Sequence, residues 1–314
     1  MVLQQVRQHH IHAASQEGAG HAKANPAATA GDNGRPAGEF AHQSLSRAAC
    51  LATCSHTKMK AADCHKENRP EYRGRGMLSL YHFGPVANSL TPLLCLLEKG
   101  LAFENRLLNS RNWEHHDPAF RKISPEGMVP VLVHDGRVVR ESTVINEYLE
   151  DVFTDNPLRP ADMWERAEMR VWTKYVDEYF CPALTVLGAH GATPFASKID
   201  KAEMAQRLAN MPNAEVRAKW EKVSSTGFSE AELEDARRRL GNVAYKLEGQ
   251  LAHGQDWLLG EQYTLADIKW YSMVPGLPRM MPAICNPEAT PAIMAWLERM
   301  VGREAVRQLE GFHP

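Results

Sequence analysis

Residues 128–142 read MVPVLVHDGRVVRES, and three features in these fifteen positions decide the fold. VPVLVH and RVVR flank Asp135-Gly136, and a two-residue Asp-Gly connection between apolar runs is a strong signal for a hairpin of antiparallel strands. Pro130 stands at the opening of the first strand, where its missing N–H is tolerated; an ordinary trans entry and a cis turn both fit there. Glu141-Ser142 follows the second strand and precedes STVINEYLEDVF, which has a helical period. Ser142 suits an N-cap, and the N–H groups of a helix start can hold a carboxylate. Glu141 beside it can take a primary ammonium, so the pair could hold an α-amino acid end. A capped helix with a solvated acid is the plainer alternative.

Working outward, LSLYHF (78–83) alternates as a strand, with Leu78, Leu80 and His82 on one face and Ser79, Tyr81 and Phe83 on the other. A helix follows, with Leu90, Leu93, Leu94 and Leu97 at helical spacing and Gly100 as its stop. AFENRLL reads as a second strand and DPAFRKI as a short helix, so the order is β-α-β-α-β-β-α, a mixed sheet with helices packed on it. After Asn156-Pro157 the strand pattern stops, and the chain reads as helical to about residue 309. Trp164, Ala167, Val171, Trp172, Tyr175, Val176 and Tyr179 predict one buried stripe on a long helix. Residues 190–230 hold several Gly, Pro and Ser breaks and are too long for a plain turn; such a segment can cover a site. Thr264-Leu265-Ala266-Asp267 is a helix start with a capping box.

The 314 residues, 44% hydrophobic, suffice for two packed domains, 77–155 and 156–314. Residues 1–76 are rich in Ala, Gly and His and lack a period, which predicts a disordered extension. Its Cys50, Cys54, Cys64 and His65 match no common zinc spacing, so no metal site is expected. This stretch carries ten Lys/Arg against six Asp/Glu, leaving 26 against 32 of the totals of 36 and 38. A slightly acidic body disfavours nucleic acid as a partner. No run approaches the ~18 apolar residues of a membrane span, and no secretory signal is evident. Six irregularly spaced cysteines suggest reduced thiols and a cytoplasmic protein.

Val-Pro before the third strand, Glu-Ser before the third helix, an all-helical second half and T-x-A-D together resemble the glutathione transferases, over nearly everything from Met77 onward. The resemblance implies a thioredoxin-like N-terminal domain, an all-α C-terminal domain, glutathione as cofactor and a homodimer. It implies a cis Pro130, with Val129 offering its backbone to the cysteinyl part and Glu141 and Ser142 holding the γ-glutamyl end. His116, with His115 as rival, would reach the glycyl end. Met128 stands where the family commonly has a polar residue, a departure at one contact to the tripeptide. The first strand-to-helix turn lacks Cys-x-x-Cys and carries Asn88-Ser89 instead. At a helix N-terminus these two can stabilise a thiolate brought by the ligand. Tyr81 is a second choice for that role, and Cys95 reads as core.

A narrower resemblance lies in FGPVANSLTPL, VVRESTVINEYLEDVF, LRPAD, RAEMRVWTKYVDEYFC and the 190–230 segment with Lys219-Trp220 and Gly227-Phe228. These are similar to the bacterial glutathione-dependent β-aryl-etherases of lignin breakdown. The implied reaction is thiolate attack, with inversion, on an ether-bearing carbon beside a ketone, releasing a phenol such as guaiacol and leaving a glutathione thioether. Phe180, Phe195, Trp270 and Met273 are candidates for the apolar substrate wall. A general glutathione conjugase or peroxidase, and a non-catalytic binding module, are the alternatives.

Overall fold

The computed structural model describes residues 76–313. The expectations for the first 75 positions, including Cys50, Cys54, Cys64 and His65, therefore lie outside the described residues. Four strands, β1 (Leu78–His82), β2 (Glu104–Leu107), β3 (Val131–His134) and β4 (Arg137–Arg140), form one sheet in the order β2-β1-β3-β4. β1 runs parallel to β2 and antiparallel to β3, and β3 and β4 form the hairpin. Asp135 and Gly136 both have positive φ, 49° and 78°, the geometry a tight two-residue hairpin needs.

Helix α1 (Ala87–Glu98) packs its leucine face under the sheet, burying Leu90, Leu93 and Leu94. It ends on Gly100 at φ 63°, with Gly100 N–H donating to Leu97 O and Leu101 N–H to Leu96 O, the paired bonds of a Schellman stop. Helix α2 (Ser142–Val152) follows β4. The expected helix between β2 and β3 is instead two single 3-10 turns, Glu114–His116 and Phe120–Lys122. Pro118 separates the two turns and Pro125 follows the second. Too few residues lie between them to repay the cost of nucleating an α-helix.

The second half is helical: α3 (Met163–Tyr175), a π turn (Val176–Phe180), α4 (Cys181–Gly191), α5 (Thr193–Ala196), α6 (Lys201–Ala209), α7 (Ala214–Ser224), α8 (Glu230–Leu251) and α9 (Leu265–Tyr271). The chain closes with α10 (Leu277–Met280), α11 (Pro291–Val301) and α12 (Glu304–Gln308). Thr264 and Asp267 form the expected capping box, and the Asp267 carboxylate also accepts from Leu258 N–H and the Trp296 indole. Burial raises the Asp267 carboxyl to about 6 despite these donors.

Two findings revise the expected packing of α3. The buried residues are Met169, Trp172, Thr173 and Val176, while Trp164 is 80% exposed and Val171 and Tyr179 are also exposed. Of the predicted stripe Trp172 and Val176 are buried as expected, while the buried face adds Met169 and Thr173 and continues through Phe180 onto Trp270, whose ring lies 5.6 Å away. Phe180, Trp270 and Met273 are buried core rather than a pocket wall, leaving only Phe195 partly exposed among those four. No helix among the described residues is long and apolar enough to cross a membrane.

The two halves share one core that runs from the sheet leucines to Trp296 and Leu309. At their junction Lys99 and Glu150 form a buried ion pair of 2.5 Å. Lys99 also donates to the carbonyls of Asp155 and Asn156, and Glu150 accepts from Leu158 N–H, so the pair fixes the linker. Residues 190–228 build a second, smaller core from Ala196, Met204, Met211 and Val223 with Trp220 and Phe228 packed on it. Trp113, from the loop after β2, inserts into that core.

Candidate thiolate and tripeptide site

Register brings the expected site residues to one end of the sheet. Val131 lies opposite both Tyr81 and Arg140, so the chain leaves β1, enters β3 and leaves β4 at the same edge. Three turns therefore converge there: Phe83–Ser89, Gly127–Pro130 and Glu141–Ser142.

The first turn is tied locally. His82 is fully buried; its Nδ1 accepts from Gly84 N–H at 2.9 Å and its Nε2 lies 2.6 Å from Asn105 Oδ1. That pattern assigns the proton to Nε2, and burial lowers the pKa of the ring. Ala87 opens α1 at φ 43°, and Val86 holds the cap position without a side-chain bond. Ser89 is the third helical residue rather than the cap. It is 3% exposed, and its hydroxyl accepts from Phe83 N–H at 3.2 Å, which leaves its own proton to donate.

Asn88 sits one residue earlier and is only partly buried. Its Oδ1 accepts from Lys269 Nζ at 2.9 Å, and its Nδ2 donates to the sulfur of Cys181 at 3.7 Å. The amide N–H is therefore already directed at a sulfur atom beside the N-terminus of α1. Burial lowers the pKa of the Lys219 ammonium on α7, an effect opposed by the neighbouring Cys181.

The second turn carries the cis peptide bond Val129-Pro130. Ser124, buried, accepts from Met128 N–H at 3.0 Å and donates to Met128 O at 2.8 Å, which consumes both backbone groups of Met128. Val129 N–H and C=O bond to no other described residue, so the main chain there is open to a ligand. Gly127 is required at its position: φ is 66°, and a Cβ would meet His116 Nδ1 at 2.5 Å. His116 is thus tucked behind this turn, and both of its ring nitrogens are buried without a partner. His115 lies edge-on to Phe83 at 4.9 Å. Burial, with the neighbouring His116 charge, lowers the pKa of His115 to about 3. Met128 is exposed.

At the third turn Glu141 occupies the cap position of α2 with φ 70°, a conformation few non-glycine residues adopt. Such outliers gather where a fold holds a ligand. Ser142 is the first helical residue, and its hydroxyl accepts from Lys269 Nζ at 3.0 Å rather than capping the helix. The ammonium of Lys269 also reaches Asp177 at 2.7 Å, and Asp177 accepts from Thr143 at 2.7 Å. Lys269, Asp177 and Cys181, which the sequence did not single out as site residues, are joined to Asn88 and Ser142 here. The one available signal was a lysine set between Ile268 and Trp270 in a helix whose other charged residue is the capping-box Asp267.

The remaining candidates fall away from the sulfur. Tyr81 packs against Phe120 with ring centroids 5.6 Å apart. Cys95 is fully buried, and desolvation raises the pKa of its thiol. The 190–228 segment is fastened over the outer side of the loops: Arg207 stacks on Trp113 at 5.1 Å and donates to Arg111 O, and Asn213 donates to Glu126 at 3.0 Å.

Comparison with known proteins identifies the family of the fold. The family models described as glutathione S-transferase, N-terminal domain and glutathione S-transferase, C-terminal domain match residues 87–152 and 204–304. Protein LigF of Sphingobium sp. (strain NBRC 103272 / SYK-6) is 45% identical over 239 residues, 74% of this chain and 92% of that protein. The crystal structure of beta-etherase LigF from Sphingobium sp. strain SYK-6 superposes with a TM-score of 0.72 at 44% identity, covering 75% of this chain and 99% of that one. A glutathione transferase homolog from Sulfitobacter with bound glutathione, 19% identical with a TM-score of 0.55 over 75% and 97% of the two chains, shares the fold. This chain belongs to the glutathione S-transferase family.

Proposed function

We propose that this protein is a glutathione-dependent β-aryl-etherase acting on α-keto lignin-type aryl ethers. The observation that carries the reading is the Asn88 amide, whose oxygen is held by Lys269 and whose N–H, now on the Cys181 sulfur, is the donor available to a ligand thiolate near the start of α1, in a chain 45% identical to LigF, a protein with a beta-etherase crystal structure. Glutathione supplies the nucleophile. Val129 pairs its backbone with the cysteinyl part, Ser142 and the start of α2 take the γ-glutamyl carboxylate, and Glu141 takes the ammonium. His116 and the main chain beside Met128 bound the glycyl end.

A free thiol with a pKa of about 8.5 is only a few per cent ionised at neutral pH. Asn88, the Ser89 hydroxyl and the end of α1 favour the anion, and each unit of lowering is worth about 1.4 kcal/mol. The thiolate attacks the ether-bearing carbon, a C–S bond forms as the C–O bond breaks, and the phenolate leaves with the electron pair and takes a proton from water. The neighbouring ketone activates that carbon, so alignment and ionisation are the main tasks left to the protein.

The exposed apolar side chains Trp164 and Val171 on α3 and Val144 on α2 support a homodimer through these helices. Free cysteines at 95, 181 and 285, with a thiol cofactor, favour a reducing cytoplasmic setting. The test is phenol release from each enantiomer of an α-keto β-aryl ether mixed with protein and glutathione. Release from one enantiomer with formation of the thioether is expected. Silence toward both, with turnover of an aryl halide, would replace this reading by a general conjugase.

A further inference from the structure

Lys269 presents a problem that the expected site does not explain. It lies in α9 of the helical half, is 1% exposed, and sits between Ile268 and Trp270, both fully buried. Burying an ammonium is costly unless each of its protons finds an acceptor. Here each does: Asn88 Oδ1 at 2.9 Å, Ser142 Oγ at 3.0 Å and Asp177 Oδ1 at 2.7 Å. Two of these three acceptors belong to opposite ends of the tripeptide site, and they come from two different helices.

This has a consequence for Asn88. An amide side chain has one acceptor end and one donor end. Lys269 claims the oxygen, so the nitrogen must face the other way, toward the sulfur of Cys181. Without the ammonium, the Asn88 amide could flip and present oxygen to a thiolate, which would repel it. Ser142 is constrained likewise: its oxygen accepts from Lys269, so its own proton is free for a carboxylate.

We propose that Lys269 is the positioning residue of the thiolate site, fixing the donor end of Asn88 toward the sulfur and joining the sulfur end of the site to the γ-glutamyl end. The proposal rests on the glutathione reading above. The charged groups around the lysine are few. Asp177 lies on the π turn, and Glu147 of α2 borders a small cavity with Lys269 but is held by Nε and Nη2 of Arg170 from α3. Helix α1 carries no charged side chain before Glu98 at its far end, and Cys181 reaches the group through Asn88.

The test is a pH titration of the enzyme-bound glutathione thiol, read by the ultraviolet absorbance of the thiolate, together with kcat and KM, in Lys269→Met, Lys269→Arg and Asp177→Asn. Methionine fills the buried stem, and Asp177, whose side chain is 41% exposed, can turn to water, so Lys269→Met leaves no buried charge unpaired. Lys269→Met is expected to raise the titration midpoint by about one pH unit, a tenfold loss of thiolate. Its kcat should fall about as much at neutral pH and recover at high pH. Lys269→Arg keeps the charge and should rescue part of the shift. Asp177→Asn removes the counter-charge and should move the midpoint down, opposite to Lys269→Met. A purely structural lysine would lower kcat equally at every pH and leave the midpoint in place, which would overturn the assignment while leaving the glutathione reading intact. If the unaltered protein shows no bound-thiol titration, both fall together. Should Lys269→Met not fold, Asp177→Asn decides alone: an unchanged or raised midpoint overturns the proposal.

Discussion

Replacing Trp113 by Ala isolates the contribution of the second core. Trp113 is buried, stacked under Arg207 at 5.1 Å and set 5.0 Å from the Trp220 ring, and it is the one residue of the thioredoxin-like half in a cluster otherwise built from residues 189–228. Truncating a buried Trp costs about 3–5 kcal/mol through lost burial and the cavity left behind. The remaining ties of that segment to these loops, from Arg207 to Arg111 O and from Asn213 to Glu126, are exposed and worth roughly 1 kcal/mol each. The loss therefore falls on the segment and not on the main core. Its local opening should increase by roughly two to three and a half orders of magnitude. Amide hydrogen exchange resolved by peptide measures this directly. Protection should collapse in α6 and α7 while α1, α8 and α11 keep theirs, and the KM for the aromatic ether should rise more than that for glutathione. Uniform loss of protection across the chain, or none in α6 and α7, would refute the claim that this segment is a separately stabilised cover.

Further outcomes follow from single contacts. Ser89→Ala removes the acceptor of the partly buried Phe83 N–H, so it should lower stability by about 1 kcal/mol in urea denaturation, with a smaller effect on thiol ionisation than Asn88→Ala. Lys99→Met should cost about 3–5 kcal/mol by leaving Glu150 and two linker carbonyls underpaired, and adding Glu150→Gln, which removes the charge and still accepts from Leu158 N–H, should recover part of it, as a double-mutant cycle would show. His115 is neutral in the folded state, with a pKa of about 3 against 6.5 when unfolded. Its contribution is present above pH 6.5 and is lost as pH falls toward 3, amounting to about 2 kcal/mol at pH 5. His115→Phe should flatten the stability difference between pH 7 and pH 5 by that amount, as chemical denaturation at the two values would reveal; an unchanged difference would mean that the ring is solvated.

The parts of this structure legible in the sequence are those governed by local rules. Alternation in LSLYHF, the Asp135-Gly136 turn, the Gly100 stop and the Thr264–Asp267 box each depend on residues a few positions apart. The site was legible to the extent that backbone turns carry it, as at Val129-Pro130 and Glu141-Ser142. What side chains do there was not. Ser142 does not cap its helix because Glu141 holds the cap position; its oxygen accepts instead from a lysine 127 positions away, and Asn88 is oriented by the same lysine 181 positions away. Helix α3 shows a related limit. Trp164 and Val171 fit a helical stripe by spacing, but which apolar face turns inward is set by what packs against it, and here that is the face of Met169, Trp172 and Val176. A seven-residue stretch next to proline lacked the length to choose between an α-helix and 3-10 turns by pattern alone.

In the proposed mechanism Asn88 and the start of α1 hold the glutathione sulfur as an anion. Titrating the thiol of bound glutathione in the unaltered protein and in Asn88→Ala examines it without any electrophile present. The unaltered protein should ionise the thiol at least about one unit below the free value of about 8.5. A lost charge-assisted hydrogen bond of about 1.5–3 kcal/mol should raise the midpoint in Asn88→Ala by roughly one to two units. A bound thiol that titrates like the free tripeptide, or a midpoint that Asn88→Ala does not move, would contradict it.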